Sequence, residues 1–116
     1  MMSRISINFT TDLAERFEAL KAVFSEHLHD NSGEILPHIL VSDYLRRAQQ
    51  CKNEQWVARF FAALETNFSG DYDDELSELL SVSVLEHIDP LNASDRELIQ
   101  FLGMRMREEH RRIFGR

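Results

Sequence analysis

The sequence predicts an all-α domain of about five helices stacked as antiparallel hairpins, either a HEAT- or armadillo-like array or a compact α-bundle. Three observations lead there. Turn-forming residues are few, with Gly 4 and Pro 2. The long stretches between them place apolar residues at helical spacing, and start and stop signals bracket those stretches. With 116 residues and 43% hydrophobic content, residues 1–116 have enough apolar material for one core without a disulfide or structural metal. A single helical domain is expected.

In the first helix Leu13, Phe17, Leu20, Phe24 and Leu28 recur at i, i+4, i+7, i+11 and i+15 on one face. Thr11 or Asp12 marks its start, with Glu15 three residues after Asp12 as in a capping box, and "DNSG" at 30–33 ends it. The second runs over 36–50 with Pro37 in its first turn, where no backbone donor is needed. It turns Leu40, Val41, Tyr44, Leu45 and Ala48 inward. Asn53 is the expected cap of the third, which carries Val57, Phe60, Phe61, Leu64 and Phe68 on one stripe bordered by Trp56 and stops at "SGD", 69–71.

The fourth helix covers "DDELSELLSVSVLEHI", with Asp71 as the cap just ahead of it. Leu76, Leu80, Val84 and Ile88 repeat every fourth residue, and Leu79, Val82 and Leu85 make its second half apolar almost all round. "DPLNAS" separates it from a fifth helix with the capping box Ser94–Glu97 and the inward row Ile99, Leu102, Met106, His110 and Ile113.

Two further patterns bear on architecture. "RISINF" alternates Ile5, Ile7 and Phe9 with polar residues, so residues 1–10 also read as an extended segment. Pairing it with "SVSV" at 81–84 gives a minor α+β variant. "RFEALKAVF" and "EILPHILV" are echoed by "RFFAALETNF" and "ELLSVSVL" at offsets of 43 and 44 residues. That fits a duplicated hairpin in the range of about 40–47 residues used by HEAT and armadillo repeats; similarity between unrelated amphipathic helices produces the same echo.

The net charge is −7, and its placement is uneven. Residues 65–97 hold ten carboxylates against one arginine, whereas 105–116 hold five arginines against two glutamates. An acidic field repels nucleic acid and anionic membrane and speeds encounter with a basic partner. The arginines of the last helix lie at mixed angles with Glu108 and Glu109 among them, so they are expected to pair with acids of neighbouring helices and to favour the helix's C-terminal end. Cys51 is the only cysteine, which rules out an intrachain disulfide, and no window approaches the roughly 18 apolar residues of a membrane span. A cytoplasmic location follows by default.

The residues propose no enzyme chemistry. Counting Asp71 as position one of a calcium loop puts Leu76 where glycine is required and Val82 where a bidentate glutamate is required. Carboxylates in a helix's first turn are accounted for by its unpaired amides and dipole. Histidines 27, 29, 38, 87 and 110 form no zinc-ligand spacing, and Cys51, Ser81 and Ser83 lack the setting of an activated nucleophile. Neither metal nor cofactor is expected.

The segments "DNSGEILPHILVSDYLRR" and "LLSVSVLEHI" add a resemblance. Asp30, Gly33, Glu34, Ile35, Leu36, Pro37 and His38, then Ser81 through Glu86, resemble the D-x-x-G-E-[IV]-L-P-H and S-V-S-[FV]-L-E segments of small acidic bacterial proteins. Those proteins look similar to the immunity proteins encoded beside polymorphic or contact-dependent growth inhibition toxins. The resemblance covers residues 17–88. It implies a neutraliser that binds one cognate toxin domain, such as a basic nuclease, without chemistry of its own. The acidic segment is the expected contact surface: Asp71, Asp73, Asp74, Glu75 and Glu78, with Tyr72 as aromatic anchor and Asp30 and Glu34 in support. The alternative reading is a helical scaffold or regulatory domain with an unrelated partner.

Overall fold

A computed structural model describes residues 3–71 and 73–115. Among them are seven α-helices, two 3-10 helices and no strand: α1 (Arg4–Arg16), α2 (Glu18–Asp30), α3 (Pro37–Gln50), α4 (Gln55–Thr66), α5 (Glu75–Ser83), a 3-10 turn Leu85–His87, α6 (Ala93–Arg96), a second 3-10 turn Glu97–Phe101, and α7 (Met104–Phe114). The all-α class agrees with the sequence. The number of helices does not, because three of the expected long helices are broken.

The first break is at Phe17, whose extended backbone (φ −118°, ψ 108°) ends α1 and starts α2. Neither glycine nor proline stands there. The Phe17 ring is buried in an aromatic cluster, edge-on to Phe60 at 6.0 Å and tilted against Trp56 at 6.3 Å. Burying a large ring outweighs the hydrogen bonding lost at one helical position. α1 also starts earlier than expected, at "RISINF", which is helical. Ser3 caps it by accepting the Ile5 amide at 3.1 Å, so neither Thr11 nor Asp12 is a cap and the strand pairing with "SVSV" is absent.

α3 and α4 follow the sequence closely. Pro37 opens α3, and all five of its expected inward residues are buried. Those of α4 are buried too, although Glu54 rather than Asn53 occupies the cap position. The rings of Phe60 and Phe61 meet edge-on at 5.4 Å, and Phe61 stacks on Phe101 at 5.8 Å. Tyr44 is wholly buried and donates its hydroxyl to the Thr10 carbonyl at 2.9 Å; burial raises its pKa.

The second break follows α5, which stops at Ser83 and tightens into the turn Leu85–His87. Val84, Leu85 and Ile88 are buried, but Val82 faces outward. The third divides the last expected helix into α6, the turn Glu97–Phe101 and α7. Asn92 caps α6 by accepting the Asp95 amide at 3.0 Å, displacing the expected Ser94 box. Gly103 precedes α7, and the carboxylate of Glu65 in α4 reaches over to accept the amides of Arg105 at 3.0 Å and Met106 at 3.1 Å. A Cβ on Gly103 would collide with that glutamate side chain.

The helices close one core. α3 packs against α2 and α5, α1 lies across α2, α3 and α5, and α4 meets the turn Glu97–Phe101 and α7. The sequence echo does not correspond to repeated hairpins. "RFEALKAVF" spans the break at Phe17 while its counterpart runs through α4 and past its end, and Pro37 opens a helix where Ser81 lies inside one. Shared apolar spacing accounts for it.

Candidate functional site

The acid-rich turn before α5 divides into two kinds of carboxylate. Asp74, not Asp71, is the helix cap: its Oδ2 accepts the Ser77 amide at 3.2 Å, the Ser77 hydroxyl at 2.6 Å and the Ser69 hydroxyl at 3.1 Å. The same Ser77 oxygen accepts the amides of Ser69 at 2.8 Å and Gly70 at 3.0 Å, and Gly70 takes a φ of +82° that glycine alone adopts at little cost. Glu75 reaches α1, where it accepts the Ser3 hydroxyl at 2.6 Å, the Ser6 amide at 3.3 Å and the Ser6 hydroxyl. It thus satisfies donors of the α1 N-terminus from another helix.

These bonds set the acid response. The Ser77 hydroxyl foremost holds Asp74 below the usual carboxylate range, and the hydroxyls of Ser3 and then Ser6 do the same for Glu75. A carboxyl depressed in the folded state contributes stability that is present above its unfolded pKa and is lost as pH falls through its folded pKa. Melting temperature is therefore expected to decline as pH drops below about 4. Asp74→Asn and Glu75→Gln variants should each show a shallower decline in the same thermal scans; parallel curves would mean the hydrogen bonds do not form in solution.

The remaining acids frame a shallow groove of about 260 Å³ between α5 and α7. Glu78, Val82 and Glu86 lie at i, i+4 and i+8 along the outer side of α5 and the turn after it, with Asp71 at one end and Phe68 beneath. Val82 is 39% exposed in the middle of this acidic rim. On the α7 wall Glu109 accepts the Ser81 hydroxyl at 3.3 Å and pairs with Arg112, whose hydrogen bond is the main cause of its lowered pKa. Asp71, Glu78 and Glu86 make no side-chain hydrogen bond or ion pair among the described residues.

Only part of the expected surface therefore assembles. Asp71 and Glu78 line the groove, Asp73 is exposed outside its lining, Asp74 and Glu75 are engaged in capping, and Tyr72 lies outside the described residues. Asp30 and Glu34 are elsewhere, Asp30 in a cleft between α2 and α3 and Glu34 beside an apolar groove formed with α1. Val82, Glu86 and Glu109 also line the groove, and the sequence reading does not single them out. The i, i+4, i+8 row Glu78–Val82–Glu86 was the available signal, hidden because Val82 reads as core among its apolar neighbours. The arginines of α7 follow expectation in part: Arg111 and Arg112 stand in its last turn, Arg112 pairs with Glu109 of its own helix, and Arg107 donates to the carbonyls of Ile99 at 3.1 Å and Gln100 at 3.4 Å.

The two segments that carry the sequence resemblance meet in space. His38 Nδ1 lies 3.0 Å from the Ser83 hydroxyl, and the Ser42 hydroxyl donates to the Ser83 carbonyl at 3.3 Å. Ser83 is 1% exposed, so this contact joins α3 to α5 and presents no hydroxyl to a substrate. His27, also buried, accepts the Leu36 amide on Nε2 at 3.0 Å and holds the connection between α2 and α3, in which Ser32 has a φ of +55°. Burial foremost raises the Cys51 pKa, the reverse of what an activated thiolate needs. Among the described residues no group of three or more His, Cys, Asp or Glu is placed to hold a metal ion, and no helix is long and apolar enough to cross a membrane.

Fold and site together define a small all-α domain that presents exposed carboxylates around an aliphatic side chain. The chain belongs to the family described as Domain of unknown function (DUF7674), whose profile matches residues 10–115. No curated protein and no solved structure matches it.

Proposed function

We propose that this protein is an immunity protein that binds and neutralises a cognate bacterial toxin domain through the acidic groove between α5 and α7. The observation that carries the proposal is the set Asp71, Glu78 and Glu86, unpaired among the described residues, around exposed Val82. Carboxylates free of internal partners attract and orient a basic surface, and an aliphatic side chain among them gives a desolvated contact once the partner is seated. A toxin that attacks nucleic acid carries such a surface at its own cleft. The resemblance at "GEILPH" and "SVSVLE" supports the same reading, with these segments serving to pack α3 on α5 and so to hold the groove wall.

On this reading the protein acts in the cytoplasm by binding alone, with no cofactor and no contact with nucleic acid or membrane. The direct test is co-expression with the C-terminal domain of a large secreted protein encoded next to it. Growth should be restored by this chain and not by an unrelated acidic protein. Failure to restore growth would leave the helical scaffold with another partner as the better account.

A further inference from the structure

A second surface, away from the acidic groove, is formed by α1, α3 and the connection before α3. Ile7, Ile35, Leu36, Pro37 and Ile39 line an apolar groove of about 580 Å³. Ile39 is 51% exposed on its lip. The polar side chains in the lining are Glu34 and His38, and His38 is engaged with Ser83. The groove is thus suited to aliphatic side chains rather than to a polar small molecule.

Charge around the groove narrows the occupant. Ile39 also lines the adjoining cleft of about 440 Å³ between α2 and α3, which holds Glu26 and Asp30. The same cleft also holds Arg46, which pairs with Asp43 at 3.3 Å, and Arg47. Glu26, Asp30 and Glu34 are exposed and have no ion-pair partner among the described residues. Glu26 and Asp30 are one helical turn apart on α2, so they present their charges together. Arg4, three residues before Ile7, places a positive charge on the α1 side. The field across this face therefore has a direction, negative along α2 and the connection after it, and positive at the start of α1 and along α3 at Arg46 and Arg47.

We infer that this face docks an amphipathic segment of a partner protein, its aliphatic side chains seated against Ile7, Ile35 and Ile39. Its lysines or arginines lie over Glu26, Asp30 and Glu34, directed away from Arg4 and Arg47. An apolar stripe alone would leave these carboxylates unpaired, and a purely basic segment would leave the groove empty. The inference does not rest on the immunity reading, since it concerns a different face and any partner with such a segment.

The probe is a synthetic amphipathic helical peptide with leucines on one side and lysines on the other, titrated into the full chain. Amide shifts in NMR spectra should gather on Ile7, Ile35, Ile39 and Asp30, and Ile39→Asn and Asp30→Lys should each weaken affinity about tenfold. Both substitutions are at exposed positions, and unchanged circular dichroism would verify folding. Shifts confined to Val82 and Glu86 would overturn the inference, as would unchanged affinity in folded Ile39→Asn or equal binding of a peptide with glutamates for lysines. Sedimentation of the chain alone supplies a further arm: a dimer abolished by Ile39→Asn would assign the face to a second copy instead. Loss of toxin protection in co-expression would change none of these outcomes, so the two readings fail separately.

Discussion

Phe60→Ala is expected to lower stability by about 3–5 kcal/mol, the usual cost of removing a fully buried aromatic ring. For a domain whose total stability is on the order of 5–15 kcal/mol, that is a large fraction. Phe60 is wholly buried and its ring meets Phe17, Trp56 and Phe61 at centroid distances of 6.0, 5.9 and 5.4 Å. Truncation leaves a cavity and also removes the surface against which the break at Phe17 is packed. Leu28→Ala offers the contrast: Leu28 belongs to the same sequence stripe as Leu20 but is only partly buried, so its loss should be clearly smaller. Urea denaturation followed by circular dichroism measures both. Equal losses at the two positions would mean that the aromatic cluster is not the centre of the core.

If the proposed immunity function holds, the triple variant Asp71→Lys, Glu78→Lys, Glu86→Lys is expected to slow association with the cognate toxin domain by about 10- to 100-fold at low salt, and to lose most of its salt dependence. Each of these carboxylates is exposed at the rim of the α5–α7 groove. The folded state should survive, because none caps a helix or pairs internally among the described residues. Reversing Asp74 and Glu75 instead would disturb the starts of α5 and α1 and lower stability, with capping at Asp74 alone contributing about 0.5–2 kcal/mol. Stopped-flow association kinetics beside thermal melts separate the two effects. Normal association by the folded triple variant would move the interface away from this groove.

How far the site could be read from the chain depended on the range of the interactions involved. The concentration of acid at 71–78 is visible in the sequence, but which acids are available is not. Asp74 is engaged by residues close by, through Ser69 and Ser77, and an Asp three residues before a Ser at a helix start is a local signal. Glu75 is engaged by Ser3 and Ser6 of a helix some 70 positions earlier, and nothing near Glu75 announces that. Val82 shows the converse error. Within "SVSVL" every apolar residue looks like core, and only the packing of α5 and the turn after it against α1, α3 and α7 decides that Val84 and Leu85 are covered while Val82 is not.

By itself the sequence determined the helical class, the inward faces of α3 and α4, the start of α3 at Pro37 and a turn at Gly70, although α4 already ends at Thr66. These depend on apolar periodicity and on backbone preferences that act within a few residues. Tertiary structure alone decided the break at Phe17, the capping of α7 by Glu65 and the division of the acidic segment into caps and a free surface. In each case the deciding partner lies far along the chain. A buried ring or a satisfied amide outweighs local helix preference only once the fold has brought that partner within reach.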